Sequence, residues 1–244
     1  MSAAYEDKLK PRRREKDVET RREEILDTAT ELFAEHGFSD AMTQELANRL
    51  GIGKGTIYRC FPSKRDLFLA AADRVMQMMS AQVEAYIAGV EDGLQRIARA
   101  ILAFLTFFAE HPEYVELLIQ ERAQFKDRTR PTYIEHRQAH GMKWRQVYAG
   151  LTIDGRFREI SPQQISDVIG NLIYGTMFSN YFAGQAKPVA EQARDILDVV
   201  FRGILTDAER ARLADVDLLD GAPPLPRVAK STGVRAADGG RAKS

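Results

Sequence analysis

Cysteine is nearly absent from the chain, since Cys60 is the only one among 244 residues. A single cysteine excludes an intrachain disulfide, which is the usage expected of a protein in a reducing cytoplasm. Long apolar runs are absent as well, because the stretches around 101–109 and 169–174 are too short to cross a bilayer. The N-terminus also lacks the apolar core of a signal peptide. We therefore expect a cytoplasmic protein with no membrane partner.

A net charge is missing too, because 35 Lys and Arg residues balance 35 Asp and Glu residues. A neutral chain has no overall attraction for nucleic acid, so any such site has to arise from a local excess of positive charge. Such an excess occurs over residues 46–65, which contain five basic residues and no acidic one. Phosphate contacts depend on charge of this kind and supply much of the affinity for DNA. The five basic residues are Arg49, Lys54, Arg59, Lys64 and Arg65.

The sequence also lacks the alternation of apolar and polar residues that is typical of strands. Apolar residues recur instead at helical spacing along most of the chain. The first such segment runs from Val18 to His36, and Gly37 is predicted to end it as a left-handed cap. Hydrophobic residues make up 44% of the chain, which is enough for a core. We predict an all-α protein of about nine helices. Beyond Gly93, five of them are expected near residues 94–109, 112–126, 130–150, 162–184 and 189–205.

Two short helices between Thr43 and Cys60 are the most informative feature of the sequence. Gly51 and Gly53 bracket the turn that separates them, and Ala47 supplies the small residue needed where the two helices cross. This spacing is typical of a helix-turn-helix. In such motifs the N-terminal residues of the second helix face the edges of the bases. In this chain those residues are Lys54, Gly55, Thr56 and Tyr58.

The segment 22–67 resembles the signature of the TetR family, the tetracycline-repressor-like regulators. The resemblance implies an N-terminal three-helix DNA-binding domain followed by a helical ligand-binding and dimerisation domain. It also implies a repressor that a small molecule releases from its operator. The matching residues are Leu32, Phe33, Gly37, Phe38, Leu46, Ala47, Gly51, Ile52, Gly55, Thr56, Ile57, Tyr58, Phe61, Ser63, Lys64 and Leu67.

Individual roles at the DNA also follow from the resemblance. Thr56, Tyr58 and Lys64 are expected to contact phosphate. The residues expected to lie near the groove are Thr43, Gln44, Lys54 and Gly55. A homodimer with two-fold symmetry presents two such sets to a near-palindromic operator. The predicted DNA-binding residues are Thr43, Gln44, Lys54, Gly55, Thr56, Tyr58, Arg59 and Lys64.

The last two long helices correspond, by the same resemblance, to the region that dimerises as a four-helix bundle. Gly170, Gly175 and Ser179 are small enough to permit close contact between helices. The predicted dimer residues are Ile169, Gly170, Ile173, Thr176, Met177, Asn180, Ile196, Val199 and Val200.

Aromatic residues are dense after residue 100, and core packing is the ordinary explanation for any one of them. Together they indicate a pocket for a small, largely apolar or aromatic ligand with a few polar contacts. His136 is a candidate for one of those polar contacts. The predicted ligand-binding residues are Phe104, Phe108, Leu118, Glu121, Arg122, Phe125, His140, Trp144, Asn171, Tyr174 and Phe178.

Other chemistries have little support in the sequence. Residues 51–56 resemble a phosphate-binding loop, but Gly55 follows Lys54 where the Walker pattern requires Ser or Thr. His136 and His140 have a spacing that can bind zinc, yet no cysteine lies near them, so we predict no metal and no cofactor. Catalytic motifs are also missing, and we expect no enzyme activity. A transcriptional activator or an architectural protein with the same DNA-binding domain remains an alternative.

Composition divides the chain into four predicted segments. Residues 1–17 are polar and basic, which predicts a flexible arm. Residues 18–65 form the helix-turn-helix domain, and residues 66–205 form the helical ligand-binding and dimerisation domain. Residues 206–244 are rich in Gly, Pro and Ala, which predicts a disordered tail.

Overall fold

The computed structural model describes residues 3–40, 43–185 and 187–222, with side chains from residue 18 onward except that of Asp40. The all-α prediction is confirmed, with ten helices in these ranges against about nine predicted. Within the same ranges, the only β-type pairing is an isolated antiparallel bridge between Phe157 and Leu205. The helices are α1 (Ala3–Asp40), α2 (Thr43–Leu50), α3 (Lys54–Cys60), α4 (Lys64–Ile87), α5 (Gly93–Glu110), α6 (Pro112–Gln124), α7 (Thr132–Ile153), α8 (Pro162–Ala183), α9 (Val189–Ile204) and α10 (Asp207–Arg212).

The helix ends follow local signals in the sequence. Pro112 and Pro162 occupy the first turns of α6 and α8, where a missing N–H costs nothing. Ser63 caps α4 by accepting a hydrogen bond from the backbone N–H of Asp66. Asp92 caps α5 in the same way through the N–H of Gln95, a cap that the sequence analysis missed. The positions of α5 to α9 therefore agree with prediction to within a few residues.

The first helix departs from prediction at both ends. Gly37 has the predicted positive φ of 71°, but its ψ of 179° is extended, so α1 bends there and continues to Asp40. At the other end α1 includes residues 3–17, which were predicted to form a flexible arm. That segment contains many polar helix formers and little apolar periodicity, so pattern reasoning had no basis for a helix there.

Helix α4 lies at the centre of the fold, and it packs against α1 and α6 near its start and against α5 and α7 further along. Its buried face includes Phe68, Ala71, Ala72 and Val75, all completely removed from solvent. The predicted domain boundary between residues 65 and 66 falls within the first turn of this helix. A single continuous helix therefore joins the helix-turn-helix to the rest of the molecule.

The segment after α9 is folded as far as residue 222, so the predicted disordered tail is wrong over residues 206–222. Glu209 of α10 is buried and accepts hydrogen bonds from Arg156, which also reaches Asp92 at the start of α5. Leu219 is buried as well. A few anchoring residues hold this segment in place despite its weak apolar pattern. The rest of the predicted tail, residues 223–244, lies outside the described residues.

Candidate nucleic-acid interface and effector cavity

Helices α2 and α3 pack around a small apolar centre. Leu46, Ala47, Ile57 and Phe61 are almost completely buried there. The chain turns between the helices at Gly51, whose φ of 64° requires glycine or a strained residue. The N–H of Ile52 donates to the carbonyl of Ala47 at 3.0 Å and closes the turn. This geometry is that of the predicted helix-turn-helix, with a small residue at the crossing.

The outer surface of the two short helices carries most of the predicted DNA-binding residues. Gln44, Lys54, Gly55 and Arg59 are exposed, and Tyr58 is 42% exposed despite its large ring. The hydroxyl of Tyr58 lies 3.4 Å from Thr43 Oγ1, so a hydrogen bond joins the two helices on this surface. The structure therefore brings together residues that are up to 15 positions apart in the sequence.

The five basic residues of segment 46–65 differ in how much of their charge is already compensated. Arg49 binds Glu35 at 2.8 Å and Glu45 at 2.7 Å, and the Glu35 hydrogen bond is the largest cause of its raised pKa. Arg65 binds Asp127 at 2.5 Å. Lys54 and Arg59, by contrast, form no ion pair within the described ranges. The sequence count of five positive charges therefore overstates the charge that is available to a phosphate.

Lys64 has a structural contact that the sequence did not indicate. Its Nζ donates to the carbonyl of Ser39 at 3.3 Å and lies 4.7 Å from the centre of the Phe38 ring. The side chain thus ties the start of α4 to the end of α1. A phosphate contact by Lys64 stays a prediction, because its ammonium has further donors beyond the one used here.

An aromatic cluster forms the junction between the helix-turn-helix and the remaining helices. The Phe38 ring lies edge-on to Phe68 at 5.3 Å and to Phe125 at 5.1 Å. Arg65 covers Phe125 at 5.0 Å. Edge-to-face pairs of this kind add about 0.5–1.5 kcal/mol each beyond burial. Phe125 therefore belongs to this junction and not to the ligand pocket in which the sequence analysis placed it.

A chain of hydrogen bonds runs from this junction to α8, and we name it the Tyr181 relay. Tyr181 Oη donates to Glu116 Oε2 at 2.6 Å, and Gln120 Nε2 donates to Glu116 Oε1 at 2.9 Å. Gln120 Oε1 then accepts the backbone N–H of Phe38 at 2.7 Å. The Glu116 hydrogen bond raises the pKa of Tyr181 to about 12, so the phenol remains a donor at neutral pH. Four residues thereby connect α8 through α6 to the end of α1.

Glycine at position 37 makes the last step of this relay possible. A Cβ atom at Gly37 would lie 2.5 Å from Gln120 Oε1, closer than any real contact. The positive φ of Gly37 also excludes most other residues. The resemblance singled out this glycine, but its partner Gln120 is 83 residues away and carries no local signal.

A cavity with a volume of about 120 Å³ lies between α4, α5, α7 and α8. Four of the residues predicted to bind a ligand line it, namely Phe104, His140, Trp144 and Tyr174. His136, also a candidate from the sequence, lines it as well. Lining residues that the sequence analysis missed include Met79, Val83, Glu84, Ile97, Ile101, Arg137, Tyr148 and Ser166.

Seven predicted ligand residues lie outside this cavity, and each has another role. Phe108 and Leu118 are buried core residues, and Phe178 packs on Tyr133. Arg122 donates to the carbonyls of Lys126 and Arg128, while Asn171 accepts from Arg137 on an exposed face. Phe125 belongs to the aromatic junction, and the seventh residue is Glu121. Residue type alone cannot separate pocket walls from core, because both use the same aromatic side chains.

Glu121 braces the connection between α6 and α7. Its buried carboxylate accepts the N–H of Thr132 at 2.9 Å, the hydroxyl of Thr132 at 2.9 Å and Arg128 at 2.5 Å. Burial is the largest influence on this carboxyl and raises its pKa, although the contacts with Thr132 and Arg128 oppose that effect. The described hydrogen bonds of this carboxylate are all made with the loop and the start of α7, so its observed role is structural.

The predicted dimer residues do not form a single exposed face. Ile169, Gly170, Met177 and Val200 are buried within the chain, and Ile169, Gly170 and Ile173 line the cavity. Thr176, Asn180 and Ile196 are half-buried, and Val199 is 68% exposed. The dimer surface itself stays a prediction, and the residues next to the predicted ones on α8 are the more exposed. The exposed apolar residues of α8 and α9 are Val168, Leu172, Phe182 and Val199.

The remaining sequence candidates have structural explanations. His136 and His140 stack with ring centres 5.8 Å apart, and His136 Nε2 lies 2.5 Å from Asp73 Oδ1. In the described part of the chain, no three His, Cys, Asp or Glu side chains converge as a metal site would require. Cys60 is half-buried and packs against the core. None of the helices described here has the length and apolar composition needed to span a membrane.

Comparison with known proteins identifies the domain that carries α2 and α3. Residues 25–71 match the family model for bacterial regulatory proteins of the tetR family. Over 100 residues the chain is 30% identical to the HTH-type transcriptional activator FasR of Mycolicibacterium smegmatis, covering 41% of this chain and 46% of that protein. Over 97 residues it is 35% identical to the HTH-type transcriptional repressor AcnR of Corynebacterium diphtheriae, covering 40% and 44%. The chain thus matches about half the length of these curated relatives.

The overall fold is also found among solved structures. A protein from Saccharomonospora viridis, solved in complex with choline, has a TM-score of 0.65 and 20% identity to this chain. That similarity covers 77% of this chain and 99% of the other. Proteins of the matched family are DNA-binding regulators and not enzymes. Residues 25–71 therefore carry the helix-turn-helix domain of the tetR family of bacterial regulatory proteins, and the chain as a whole shares the fold of the solved structure.

Proposed function

We propose that this protein is a sequence-specific transcriptional repressor that a small, largely apolar or aromatic ligand releases from its operator. The observation that carries the proposal is the exposed surface of α3. Tyr58, Lys54 and Arg59 are exposed there, and the two cations form no ion pair in the described structure. Gln44, Gly55 and Thr56 adjoin them on the same motif. Lys54, Gly55 and Thr56 are the first three residues of α3, the positions that reach base edges and phosphates in helix-turn-helix proteins.

The test of this proposal compares two charge-removing variants. Lys54→Ala removes an exposed, unpaired cation, so affinity for all duplexes should fall and the slope of log K against log salt should decrease by about one. Arg49→Gln is the matched control, because it also removes one positive charge from segment 46–65 but takes it from a residue already bound to two glutamates. The control should change the salt slope by much less.

The measurement is a fluorescence-anisotropy titration at several salt concentrations, using fragments selected by the protein from random duplex DNA. Equal slopes for the two variants would contradict the assignment of Lys54. Failure to select any sequence from the random pool would contradict the proposed function itself.

We also propose that the protein acts as a homodimer on a near-palindromic operator. In support of this, α8 and α9 expose Val168, Leu172, Phe182 and Val199 to solvent, and exposed apolar patches are a common feature of protein–protein interfaces. Gly175 and Ser179 lie on the same exposed side of α8 and permit close approach of another helix. Two-fold pairing through this surface presents two α3 helices to one duplex.

The path from cavity to DNA in this proposal follows α4. Met79, Val83 and Glu84 line the cavity near the far end of the helix, while Lys64 and Phe68 hold the helix-turn-helix at its start. A ligand that fits the cavity better in one orientation of α4 shifts the population toward that orientation. The Tyr181 relay adds a second connection, because α8 contributes Tyr174 to the cavity and Tyr181 to the relay.

A transcriptional activator is the second candidate function, and it is favoured by the match to an activator over the same DNA-binding region. The two functions share every contact with DNA and differ only in the effect on RNA polymerase. A reporter gene placed behind the selected operator separates them, since a repressor lowers and an activator raises expression when the protein is supplied.

A further inference from the structure

The polar side of the cavity is cationic, which bears on the chemistry of its ligand. Arg137 lines it from α7 together with His136 and His140. Among the described lining residues, Glu84 is the only acidic one, and its carboxylate is already bound by Lys143. The cavity therefore offers a guanidinium and imidazole nitrogens to a ligand, and the acidic residue that lines it is held by a lysine.

Arg137 is held at the cavity by a fixed set of contacts. Its Nη1 donates to Asn171 Oδ1 at 2.8 Å, and its Nη2 donates to the carbonyl of Asp167 at 2.9 Å and lies 3.7 Å from the carboxylate of the same residue. A Cβ atom at Gly170 would lie 2.6 Å from Arg137 Nε, so only glycine lets the guanidinium lie against α8. The two acceptors use only part of the five N–H donors of the group. A positioned guanidinium with unused donors favours a planar, bidentate anion such as a carboxylate.

The imidazole nitrogens beside Arg137 are also only partly used. His136 Nε2 lies 2.5 Å from Asp73 Oδ1, and His136 Nδ1 is buried without any hydrogen-bond partner. His140 donates its Nδ1–H to the carbonyl of His136 at 3.0 Å, so its Nε2 is the acceptor nitrogen of the neutral ring. A buried polar atom without a partner is costly, so the open acceptor nitrogens of this pair favour a ligand that also carries a hydrogen-bond donor, such as a hydroxyl, at this end.

Other residues of the cavity wall are aromatic. Phe104 and Tyr174 meet edge-to-face at 4.9 Å, and Trp144 stacks on Tyr148 at 6.4 Å between ring centres. The volume of about 120 Å³ is slightly smaller than the roughly 150 Å³ of an apolar cavity that holds benzene. One ring fills such a space, and a steroid or a long acyl chain does not fit without rearrangement.

We infer that this cavity binds a small aromatic carboxylate, with its ring against Phe104, Trp144 and Tyr174 and its carboxylate at Arg137. The inference rests on the proposed function in so far as the cavity is the effector site. It adds the charge and the size of the ligand, which the fold and the family do not specify.

The test uses three probes with the same ring and the same number of carbon atoms: benzoate, benzyl alcohol and benzylammonium. Trp144 is the only tryptophan in the chain, so its fluorescence reports binding at the cavity directly. The carboxylate should bind at least about tenfold tighter than the alcohol, the difference made by one charge-assisted hydrogen bond, and the ammonium should bind more weakly than the alcohol.

Two variants locate the preference at Arg137. Arg137→Met should abolish the preference for the carboxylate and leave the affinity for the alcohol within about twofold, whereas Arg137→Lys should retain part of the preference. Gly170→Ala adds no charge but displaces the guanidinium, and it should also reduce the preference. Near-ultraviolet circular dichroism of each variant checks that the fold is intact.

Tighter binding of the alcohol or the ammonium would overturn the inference, as would binding of none of the three probes. An undiminished preference for the carboxylate in folded Arg137→Met would overturn it as well. The titration needs no DNA, so failure here is distinguishable from failure of the proposed repressor function, which the selection of operator fragments tests on its own.

Discussion

Side chains of the same type serve either the fold or a ligand, and their partners decide which. Arg49 and Arg65 are bound by carboxylates, whereas Lys54 and Arg59 on the neighbouring surface are not. Glu121 is completely enclosed and holds a loop, while Glu84 reaches the cavity. The assignment of function therefore depends on contacts between residues that are far apart in the sequence.

Glu121 gives a prediction about pH, because burial raises the pKa of its carboxyl above the ordinary value of 4.5. At pH values between 4.5 and the raised pKa, the folded state therefore binds more protons than the unfolded state. The free energy of unfolding contributed by this group therefore falls as pH rises through the raised pKa. Glu121→Gln has no such group, so the variant should gain stability relative to the native protein as pH increases from 4.5.

Urea denaturation of both proteins at several pH values between about 4 and 7 measures this difference. If Glu121→Gln instead lost stability relative to the native protein as pH rises, the Arg128 ion pair would outweigh burial at this site. In that case Glu121 would stabilise the fold mainly as an anion.

At the scale of elements, α4 and α6 connect the cavity to the surface of α3. Helix α4 is continuous from Lys64 to Ile87, and α6 carries both Glu116 and Gln120 of the Tyr181 relay. Packed helices with discrete hydrogen bonds have a small number of arrangements, which suits them to switch between two states. The relay lies on α6, so its contribution can be separated from that of α4 by mutation.

Gln120→Leu should uncouple α6 from the end of α1. The variant removes the acceptor for the Phe38 N–H while keeping a side chain of similar length. Loss of a hydrogen bond worth about 1 kcal/mol should speed amide exchange at Phe38 by roughly fivefold. Gln124→Leu is the matched control, since Gln124 is an exposed residue on the same helix with no hydrogen bond to the helix-turn-helix in the described structure.

Amide exchange of the two variants, followed residue by residue by NMR, gives the measurement. The relay would lose its proposed role if Gln120→Leu and Gln124→Leu exchanged at the same rate at Phe38. Titration of the selected operator with both variants then shows whether the same bond also orients α3.

Comparison of sequence and structure at this scale shows which elements were predictable. The two short helices were accessible from sequence because Gly51, Ala47 and Ser63 act locally, within a few residues of the structure they determine. The bounds of α5 to α9 were accessible for the same reason. The walls of the cavity were not, since four helices must be packed before Arg137 and Met79 are neighbours.

The dimer surface shows a second limit of sequence reasoning. Apolar residues surround much of α8, so hydrophobicity alone did not reveal which side turns inward. Burial decides the matter, because Ile169 and Met177 face the core while Val168 and Leu172 face solvent. The two sides of α8 differ by a rotation of one residue about the helix axis. Only the packing of α8 on α7 and α5 determines which side is buried.

At the scale of the whole molecule, a neutral chain must concentrate its charge to bind DNA. The total of 35 basic and 35 acidic residues provides no long-range attraction. A single helix-turn-helix with few uncommitted cations makes a limited number of phosphate contacts, and its affinity is correspondingly modest. Joining two copies places a second set of contacts on the same duplex, and the gain in affinity then depends on the exposed surface of α8 and α9.

Val199→Glu tests this dependence on pairing. Val199 is 68% exposed in the single chain, so a carboxylate there costs the monomer little, but in a dimer it would bury an unpaired charge. The variant should shift sedimentation equilibrium toward the monomer and weaken binding to a two-half-site operator by at least about tenfold, with little effect on a single half-site. Ile153→Glu is the matched control, because Ile153 is 84% exposed at the end of α7 and away from the proposed surface. A dimer that persists in Val199→Glu, or operator affinity that falls equally in both variants, would place the pairing surface elsewhere on the molecule.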